Sequence, residues 1–432
     1  MRLSTLLYLS LLVSIGYTQN AVAGKRQPSK AQPDQASIQL ETDRIFQKLV
    51  DIRREFHAHP ELAGHEKHTQ ELIKQYLLDL GLEVQTDSDG YGVVGVLKGA
   101  KKGRKIAWRA DMDALPNDFP DDVAFASTTK GVQHGCGHDV HLAIGLGIAE
   151  VLARHRASLS GTVYFIFQPE EETFAGAKRM IDQGLYSRIQ PDEIYGLHVT
   201  ALPAGKIMVK PREVFAYQRR IRIKLKNELT KEEAKELTRE IRAALSRSRP
   251  GTKPWELQQI GDTAKGLMNP NTIFKDYLVM DERFRIYPEK DSLFLEAFLY
   301  ETEASNIPAI LPKVEQLIQA GKYGKLLLSV TFTQENPTII NDEALTKKAV
   351  NLLSTRYGKE LLIPDYGQVP YFNDDFAYYQ QKLPGVYFFL GGSNSTKGMI
   401  AMNHAPGFKV DEECIRTGVS SFAYLLSERL KP

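Results

Sequence analysis

The sequence predicts an α/β protein in which one layered domain is split by a compact insert. Apolar strands alternate with amphipathic helices from Asp43 to about residue 212, a pattern typical of a sheet covered by helices. Near residue 213 the strands begin to alternate polar and apolar side chains, and near Asn336 the first pattern returns. A chain of 432 residues is also long enough for two cores. We therefore expect a first part over 41–212, an insert over 213–335 and a second part over 336–432.

The first part combines regular helices with buried strands. Helical spacing of apolar residues predicts helices over 43–58 and 68–80, and Gly81 stands where the second helix should end. The segment TVYFIF is apolar throughout, as in a strand buried on both faces. The other predicted elements are strands over 93–97, 106–109, 162–167 and 194–199 and a helix over 142–155.

The insert is predicted to form a compact unit of strands and two helices. Tyr217–Lys226 alternates as RRIRIKLK, which is typical of a strand with one wet face. Thr230 and Glu233 fit a capping box that begins a charged helix ending near Ser246. The elements predicted in the insert and after it are strands over 293–300, 325–333 and 385–390 and helices over 306–320, 342–357 and 411–430.

The N-terminus has the layout of a secretory signal. Met1 and Arg2 form a basic start, residues 3–15 are almost continuously apolar, and Ala21-Val22-Ala23 is a small-residue cleavage site. The alternative is a membrane anchor, but the apolar run is shorter than the roughly 20 residues of a spanning helix. We expect a signal peptide over 1–23, a flexible leader over 24–40, and an exported protein, periplasmic or secreted, that leaves the membrane after cleavage.

Charge and cysteine content exclude some classes of protein. The 55 basic and 53 acidic residues give a net charge of +2, which is too balanced to indicate a nucleic-acid partner. The two cysteines, Cys136 and Cys414, exclude a disulfide-stapled scaffold, although one disulfide between them is arithmetically possible.

Metal-binding side chains are concentrated in two short motifs. In HGCGHD, Cys136 and His138 lie two residues apart beside glycines, and a thiolate with an imidazole suits a divalent cation. The run QPEEE follows the strand TVYFIF and ends in Glu171 and Glu172, and such adjacent carboxylates are costly unless a positive charge lies nearby. The plainer alternatives are a buried cysteine beside loop histidines and a solvated acidic loop.

Three further segments carry weaker signals. His198 ends an apolar strand, His404 lies in a loop near the C-terminus, and Asp111 and Asp113 follow the strand over 106–109. Taken singly, a strand-end histidine, a loop histidine and a turn are more often structural than ligating. All five segments nevertheless follow core strands or occupy Gly-rich loops, which is where a layered α/β domain builds a site.

Together these motifs resemble the aminoacylase/carboxypeptidase family of co-catalytic metallohydrolases, and within it the hippurate hydrolase and indole-acetyl-amino-acid hydrolase branch. The matching stretches stand in the expected order: RREFHAHPEL (53–62), RADMDALP (109–116), HGCGHD (134–139), FQPEEE (167–172), GLHV (196–199), NDDFAYY (373–379) and NHAPGF (403–408). The resemblance implies an α/β/α catalytic domain with a central sheet, interrupted by a smaller α+β, ferredoxin-like lid domain.

The resemblance also implies a role for each residue of the site. Asp113 would orient the metal site, and Asp111 stands where other branches carry a metal-binding histidine, a donor that Cys136 replaces. Zinc and manganese suit this donor set best, and cobalt and nickel also fit. The ligands of the two divalent metal ions would be Cys136, His138, Glu172, His198 and His404.

The implied reaction is hydrolysis of the amide bond of an N-acyl amino acid or small peptide. A water between the two metal ions would lose its proton to Glu171, which would deliver it to the leaving amine. The partner is then a small-molecule substrate. Metal ligation would keep Cys136 free of a disulfide, and Cys414 would be a buried residue of the last helix.

The insert departs from the family pattern. Relatives carry a histidine after the first lid strand that helps to bind the scissile carbonyl, whereas no histidine occurs between His198 and His404. An arginine of the lid could replace it, the substrate could differ, or the protein could be a non-catalytic metal- or ligand-binding homologue. The altered lid also gives no support to the homodimer of many relatives.

The lid begins with a basic run that has two interpretations. It is either a solvated face or a site that captures a substrate carboxylate, for which an arginine fork suits better than lysine. The run consists of Lys206, Lys210, Arg212, Arg219, Arg220 and Arg222.

Overall fold

A computed structural model describes residues 32–87 and 89–432. The predicted signal peptide and residues 24–31 of the leader lie outside this part of the chain. The described part contains two mixed α/β units, a large catalytic domain around an eight-stranded sheet and a smaller lid domain around a five-stranded sheet.

Ten α-helices occur in the described residues. They are α1 (Gln35–Ala58), α2 (Lys67–Asp79), α3 (His138–Arg154), α4 (Gly176–Asp182), α5 (Leu185–Arg188), α6 (Lys231–Leu245), α7 (Ile310–Ala320), α8 (Glu343–Tyr357), α9 (Phe376–Gln380) and α10 (Glu413–Arg429). In this part of the chain, no helix is both long enough and apolar enough to cross a bilayer.

Fifteen β-strands complete the two domains as far as the chain is described. They are β1 (Glu83–Thr86), β2 (Val93–Lys98), β3 (Lys101–Asp111), β4 (Ser160–Gln168), β5 (Glu193–Pro203), β6 (Ile207–Met208), β7 (Arg212–Glu213), β8 (Tyr217–Lys226), β9 (Leu278–Met280), β10 (Arg285–Glu289), β11 (Ser292–Glu301), β12 (Leu327–Glu335), β13 (Ile340–Asn341), β14 (Leu362–Ile363) and β15 (Gly385–Ser393).

The sheet of the catalytic domain is covered on both faces. Its strand order is β1-β2-β4-β3-β5-β15-β6-β14, and the four central strands β4, β3, β5 and β15 run parallel. Alternate residues of β4 enter different cores, Phe165 and Phe167 on the side of α1, α3 and α10, and Tyr164 and Ile166 on the side of α4 and α9. Burial on both faces explains why residues 163–167 (VYFIF) form a continuous hydrophobic run.

The lid has a ferredoxin-like arrangement. Its sheet order is β10-β11-β8-β12, with the short β9 also paired to β11, and α6 and α7 pack on one face. Ile221, Ile223 and Leu225 of β8 enter this core, so the alternating residues of the strand face away from the helices. The capping box of Thr230 and Glu233 is present at the start of α6.

The two connections between the domains lie side by side. The chain leaves the catalytic domain through β7 and returns through β13, and these two strands form an antiparallel pair. The hydrogen bond from the Val214 amide to the Ile339 carbonyl, 3.0 Å long, extends this pairing towards the lid.

Several predicted element boundaries are wrong: α3 begins at His138 and not at residue 142, β3 begins at Lys101 and not at residue 106, and the starts of α1 and α7 also differ. Residues 35–40, assigned to a flexible leader, form the start of α1, because Asp34 accepts a hydrogen bond from the Ser37 amide and caps the helix, and Ile38 is fully buried. The helix predicted over 306–320 begins only at Ile310, because Ala304–Ala309, which contains Pro308, forms a 3₁₀ segment.

Candidate metal centre

Three parallel strands bring acidic and imidazole side chains to one edge of the sheet. Strand β3 ends at Asp111, β4 ends at Gln168 just before the acidic run, and β5 carries His198. The carboxyl ends of parallel strands meet on the same side of a sheet, where α/β proteins place their ligands. The segments that follow these strands therefore converge although they are distant in the sequence.

Gly137 sets the position of the HGCGHD loop. It is left-handed, with φ of 95°, and immediately precedes α3, which begins at His138. A Cβ atom at this position would lie 2.4 Å from Val199 Cγ1. Only glycine can therefore bring the loop so close to β5, and this approach places Cys136 beside His198.

The late histidine is fixed by its neighbour. Asn403 Nδ2 donates hydrogen bonds to the Cys136 carbonyl at 2.8 Å and to the Val199 carbonyl at 3.0 Å. The amide of His404 donates to the Gly135 carbonyl at 3.0 Å, and His404 has a positive φ of 57°. The loop over 403–408 is thus tied to the cysteine loop and to β5, and it directs His404 towards Cys136.

Two triads of donor atoms share the sulfur of Cys136. The first consists of Cys136, His138 and His198, and the second of Cys136, Glu172 and His404, with the ligand atoms of each triad within 4.8 Å of one another. Cys136 Sγ lies 3.2 Å from both His198 Nε2 and His404 Nε2. All five residues predicted as metal ligands from the sequence are therefore brought together.

Hydrogen bonds fix which ring nitrogens are available. Nδ1 of His138 donates to the Asp113 carbonyl at 2.7 Å and Nδ1 of His198 donates to the Val199 carbonyl at 2.7 Å, so Nε2 is the ring nitrogen that each presents to the site. His141 is different, because its Nε2 accepts from the Val199 amide at 2.8 Å and its Nδ1 bonds Asp111 at 2.5 Å. Both nitrogens of His141 are used.

Asp113 orients the acidic run. Its carboxylate oxygens accept the amide of Glu171 at 3.0 Å and the amide of Glu172 at 2.9 Å, and its carbonyl holds His138. Asp113 is fully buried and all three of its oxygen atoms are used in this way. The same residue therefore positions two carboxylates and one imidazole.

The donor set fits divalent cations. His138 Nε2 and Glu172 Oε1 are buried and have no hydrogen-bond partner, and they lie 3.8 Å apart. Burial raises the pKa of the Cys136 thiol well above its usual range, and Glu172 and Glu171 add to the effect. A thiolate in this position therefore needs a cation beside it, and a soft thiolate with imidazoles and a carboxylate is a donor set typical of zinc.

Glu171 faces other acids as well as the triads. Its Oε2 lies 3.7 Å from His138 Nε2, and its carboxylate is also close to Asp374 and Asp375. Burial raises the pKa of Glu171 well above its ordinary value, and Asp374 and Glu172 raise it further. A carboxyl group in such surroundings holds a proton more readily than an ordinary glutamate does.

The buried side chain of Arg109 holds three aspartates next to the site in place. Arg109 donates to Asp111 Oδ2 at 2.5 Å, to Asp374 Oδ2 at 3.1 Å and to Asp375 Oδ1 at 3.0 Å. Asp111 is thereby occupied by Arg109 and His141, which agrees with a supporting position rather than a ligand position. The roles of Arg109, His141 and the two late aspartates were not predicted from the sequence, although NDDFAYY was one of the matching motifs.

The triads open into a cavity of about 780 Å³ between the two domains. The catalytic domain contributes Cys136, Glu171, Glu172, His198 and His404 to its wall. The lid sheet contributes Gln218, Arg220, Phe298 and Gln334, and Asn336 follows directly after it. The polar groups of this wall are thus amides and one guanidinium group where relatives are expected to carry a histidine.

A family profile and several known proteins match most of this chain. Residues 107–428 match the profile described as Peptidase family M20/M25/M40. The chain is 31% identical to thermostable carboxypeptidase 1 of Saccharolobus solfataricus, over 87% of this chain and 94% of that protein. It is 30% identical to N-acetylcysteine deacetylase of Bacillus subtilis, over 89% of this chain and 97% of that protein.

A solved structure shares the two-domain architecture. The Bacillus subtilis YXEP protein, described as a dinuclear metal binding peptidase from the M20 family, is 27% identical, and the match covers 90% of this chain and 99% of that one with a TM-score of 0.71. The chain therefore belongs to peptidase family M20/M25/M40 and is a metallohydrolase that acts on amide bonds.

Proposed function

We propose that this protein is a binuclear amidohydrolase that cleaves N-acyl amino acids or small peptides, with Glu171 as the general base. The observation that carries the proposal is the arrangement of two donor triads around one sulfur, with the Glu171 carboxylate beside them. A purely structural metal site is closed by protein donors, whereas these triads leave positions open towards the cavity.

The residues that would hold the cations are those of the two triads. Cys136, His138 and His198 would hold one, and Cys136, Glu172 and His404 would hold the other. Bound there, two divalent cations supply Lewis-acid chemistry, which polarises the scissile carbonyl and acidifies water. Zinc or manganese suits the set best and cobalt or nickel also fits, and the dinuclear character of the related YXEP protein supports a pair.

The chain itself performs the proton transfers. Glu171 is positioned by Asp113 through its own amide, and its raised pKa brings it nearer the pH at which a general base is effective. Glu171 Oε2 takes one proton from the attacking water and later delivers it to the amine nitrogen as the C–N bond breaks. The products are a carboxylic acid and a free amine, so one water is consumed for each bond cleaved.

The test is substitution of Glu171 by glutamine, with turnover and metal content measured on the same preparation. We expect kcat to fall by about 10²- to 10⁴-fold, while the metal bound per chain is unchanged. Glu170→Gln is a matched control, because Glu170 belongs to the same acidic run but pairs with Arg179 at 2.8 Å. Full activity of Glu171→Gln on a panel of N-acyl amino acids and dipeptides would contradict the assignment.

A second candidate function follows from the missing lid histidine. A metal- or ligand-binding homologue without turnover would also keep the triads, and no histidine lies between His198 and His404. A non-catalytic binding protein has no need of a buried carboxylate such as Glu171 beside its metal ligands. The presence of Glu171 therefore favours the enzyme over the binding protein. Metal-loaded protein that binds N-acyl amino acids but hydrolyses none of the panel would favour this second function.

We also propose that the protein is exported. The support is the order of basic, apolar and small residues over 1–23. Mature protein recovered from the periplasm or medium should begin at Gly24. An N-terminus at Met1 on the functional protein would contradict export by cleavage.

A further inference from the structure

A segment of the lid crosses onto the catalytic domain. Residues 255–276, here called the strap, lie between α6 and β9 and contain one short regular element, the 3₁₀ turn Leu257–Gln259. Ile260, Leu267 and Phe274 of the strap are buried in the apolar core on the α4 and α9 side of the catalytic sheet. The strap is therefore part of the lid in sequence and part of the catalytic domain in packing.

Backbone contacts fix the strap in place. The Leu267 carbonyl accepts a hydrogen bond from the Tyr366 amide at 2.9 Å, and the Phe274 carbonyl accepts one from the Gln368 amide at 2.8 Å. A Cβ atom on Gly261 would lie 2.5 Å from the Ala201 carbonyl oxygen, so the strap runs directly against the end of β5. Because β5 also carries His198, the strap is held at a fixed place relative to the metal centre.

The strap forms an apolar wall of the cavity. Leu257, Ile260 and Leu267 line it, next to Phe215, Val369 and Phe389 of the same apolar core. None of these six side chains is charged, and Gln258 is the polar strap residue that lines the cavity beside them. The wall formed by the lid sheet differs, because beside the Phe298 ring it carries amides and the guanidinium group of Arg220.

We propose that the strap is the acyl-binding subsite, which selects N-acyl amino acids whose acyl group is apolar and larger than acetyl. This inference rests on the proposed function, because the metal centre is assumed to hold the scissile carbonyl. The amino-acid half of such a substrate carries a carboxylate, which suits Arg220. The apolar half then lies against Leu257, Ile260 and Leu267, where each methylene removed from water raises kcat/KM about fourfold.

The test compares acyl groups of increasing length on one amino acid. For the metal-loaded wild type we expect kcat/KM to rise from N-acetyl- to N-butanoyl- to N-hexanoyl-alanine. Leu257→Ala should lower kcat/KM for the hexanoyl compound about tenfold and leave the acetyl compound within about twofold, because only the longer chain reaches the lost methyl groups. Leu257 is only partly buried, so the variant should fold.

Leu328→Ala is the control, since Leu328 is an exposed leucine of the lid strand β12 that does not line the cavity. It should keep the wild-type ratio of hexanoyl to acetyl activity. An unchanged ratio in Leu257→Ala would overturn the proposal, and so would a change that depends on the amino acid instead of the acyl group.

A binding measurement separates the subsite from the reaction. Calorimetric titration of metal-loaded protein with hexanoate and with acetate should show tighter binding of hexanoate in the wild type and a reduced difference in Leu257→Ala. If the wild type cleaves none of the compounds, the proposed function fails, and the titration still decides the subsite. Equal affinity of the wild type for both acids would overturn the subsite.

Discussion

At the scale of single residues, the structure separates the members of the basic run at the start of the lid. Arg212, Arg219 and Arg222 pair with Glu343, Glu335 and Glu296. Lys206 and Lys210 donate to backbone carbonyls, and Lys210 lies beside Asp365. Arg220 lines the cavity, lies over the Phe298 ring at 4.3 Å, and has no carboxylate within 4.0 Å among the described residues.

Arg220 is therefore the member of the run that suits a substrate carboxylate. Arg220→Gln should raise KM for an N-acyl amino acid about 10- to 100-fold, the value of a hydrogen bond to a charged group, with a smaller effect on kcat. The corresponding amino-acid amide should show no such loss. Arg222→Gln is the matched control, because Arg222 lies two residues along the same face but is paired with Glu296. Equal losses in both variants would argue against a specific role for Arg220.

The surroundings of His57 predict how the free energy of unfolding depends on pH. Burial opposes a charge on its ring, but hydrogen bonds to Asp121 at 3.1 Å and Asp139 at 2.8 Å outweigh this and raise the pKa of His57 above 6.5. A group whose pKa is higher in the folded state stabilises the fold below its unfolded pKa, and this stabilisation is lost as pH rises through the folded pKa. The free energy of unfolding should thus contain a contribution that falls as pH rises above 6.5.

Urea unfolding of wild type and His57→Gln from pH 6 to pH 9 measures this contribution. The difference between the two proteins should be largest at the acidic end and shrink towards the alkaline end. A difference that grows with pH would show that His57 is buried as the neutral ring.

At the scale of elements, most of the regular structure follows from local pattern. The strand TVYFIF, the alternating β8 and the capping box of α6 all have the predicted form. The strap could not be predicted in this way, because its apolar residues have no helical or strand period and contact another domain. Helices α4 and α9 were also missed, since seven and five residues are too few for periodicity to show.

The start of α3 provides a test at this scale. Gly137→Ala should lower the free energy of unfolding by about 1–3 kcal/mol, because it combines left-handed strain with the clash against Val199. It should also reduce metal binding, because Cys136 and His138 flank the glycine. Gly398→Ala is the control, since Gly398 also has a positive φ of 66° but nothing lies within 4 Å of a Cβ built there.

Urea unfolding and the amount of metal bound per chain, measured for both glycine variants, test whether Gly137 positions the cysteine loop. Gly398→Ala should keep full metal content. If Gly137→Ala also binds the full complement of metal with unchanged affinity, close contact with β5 is not what positions the cysteine loop.

At the scale of the whole molecule, the site depends on groups that the sequence scatters. Motif spacing and resemblance indicated Cys136, His138, Glu172, His198 and His404, and the structure brings them together. The network of Arg109 with Asp111, Asp374 and Asp375 was not predicted, because it joins β3 to a loop more than 260 residues away. Ion pairs between such distant residues depend on how the strands pack, so they cannot be predicted from a local sequence pattern.

Metal loading should stabilise the molecule as a whole. The Cys136 thiol and the neighbouring Glu171 carboxyl are both buried, and their ionised forms need a nearby cation, so a metal that binds only the folded state adds to its stability. At a free metal concentration 100 times the Kd, the gain is about 2.7 kcal/mol. A chelator should lower the melting temperature, and zinc should restore it.

Cys136→Ala is the control for this effect, because it removes the atom common to both triads. Its melting temperature should respond little to chelator or zinc. Wild-type protein whose melting temperature is the same with chelator and with excess zinc would contradict a metal centre at this place.

Because the two triads share the sulfur of Cys136, replacements of different metal-binding residues should have different effects. Because one atom belongs to both triads, a replacement at residue 136 alters both halves together, whereas a replacement of His198 or His404 alters one half first. Affinity can be adjusted independently only from the outer donors. Loss of one cation alone would therefore follow from a change at an outer histidine, and loss of both from a change at the central thiol.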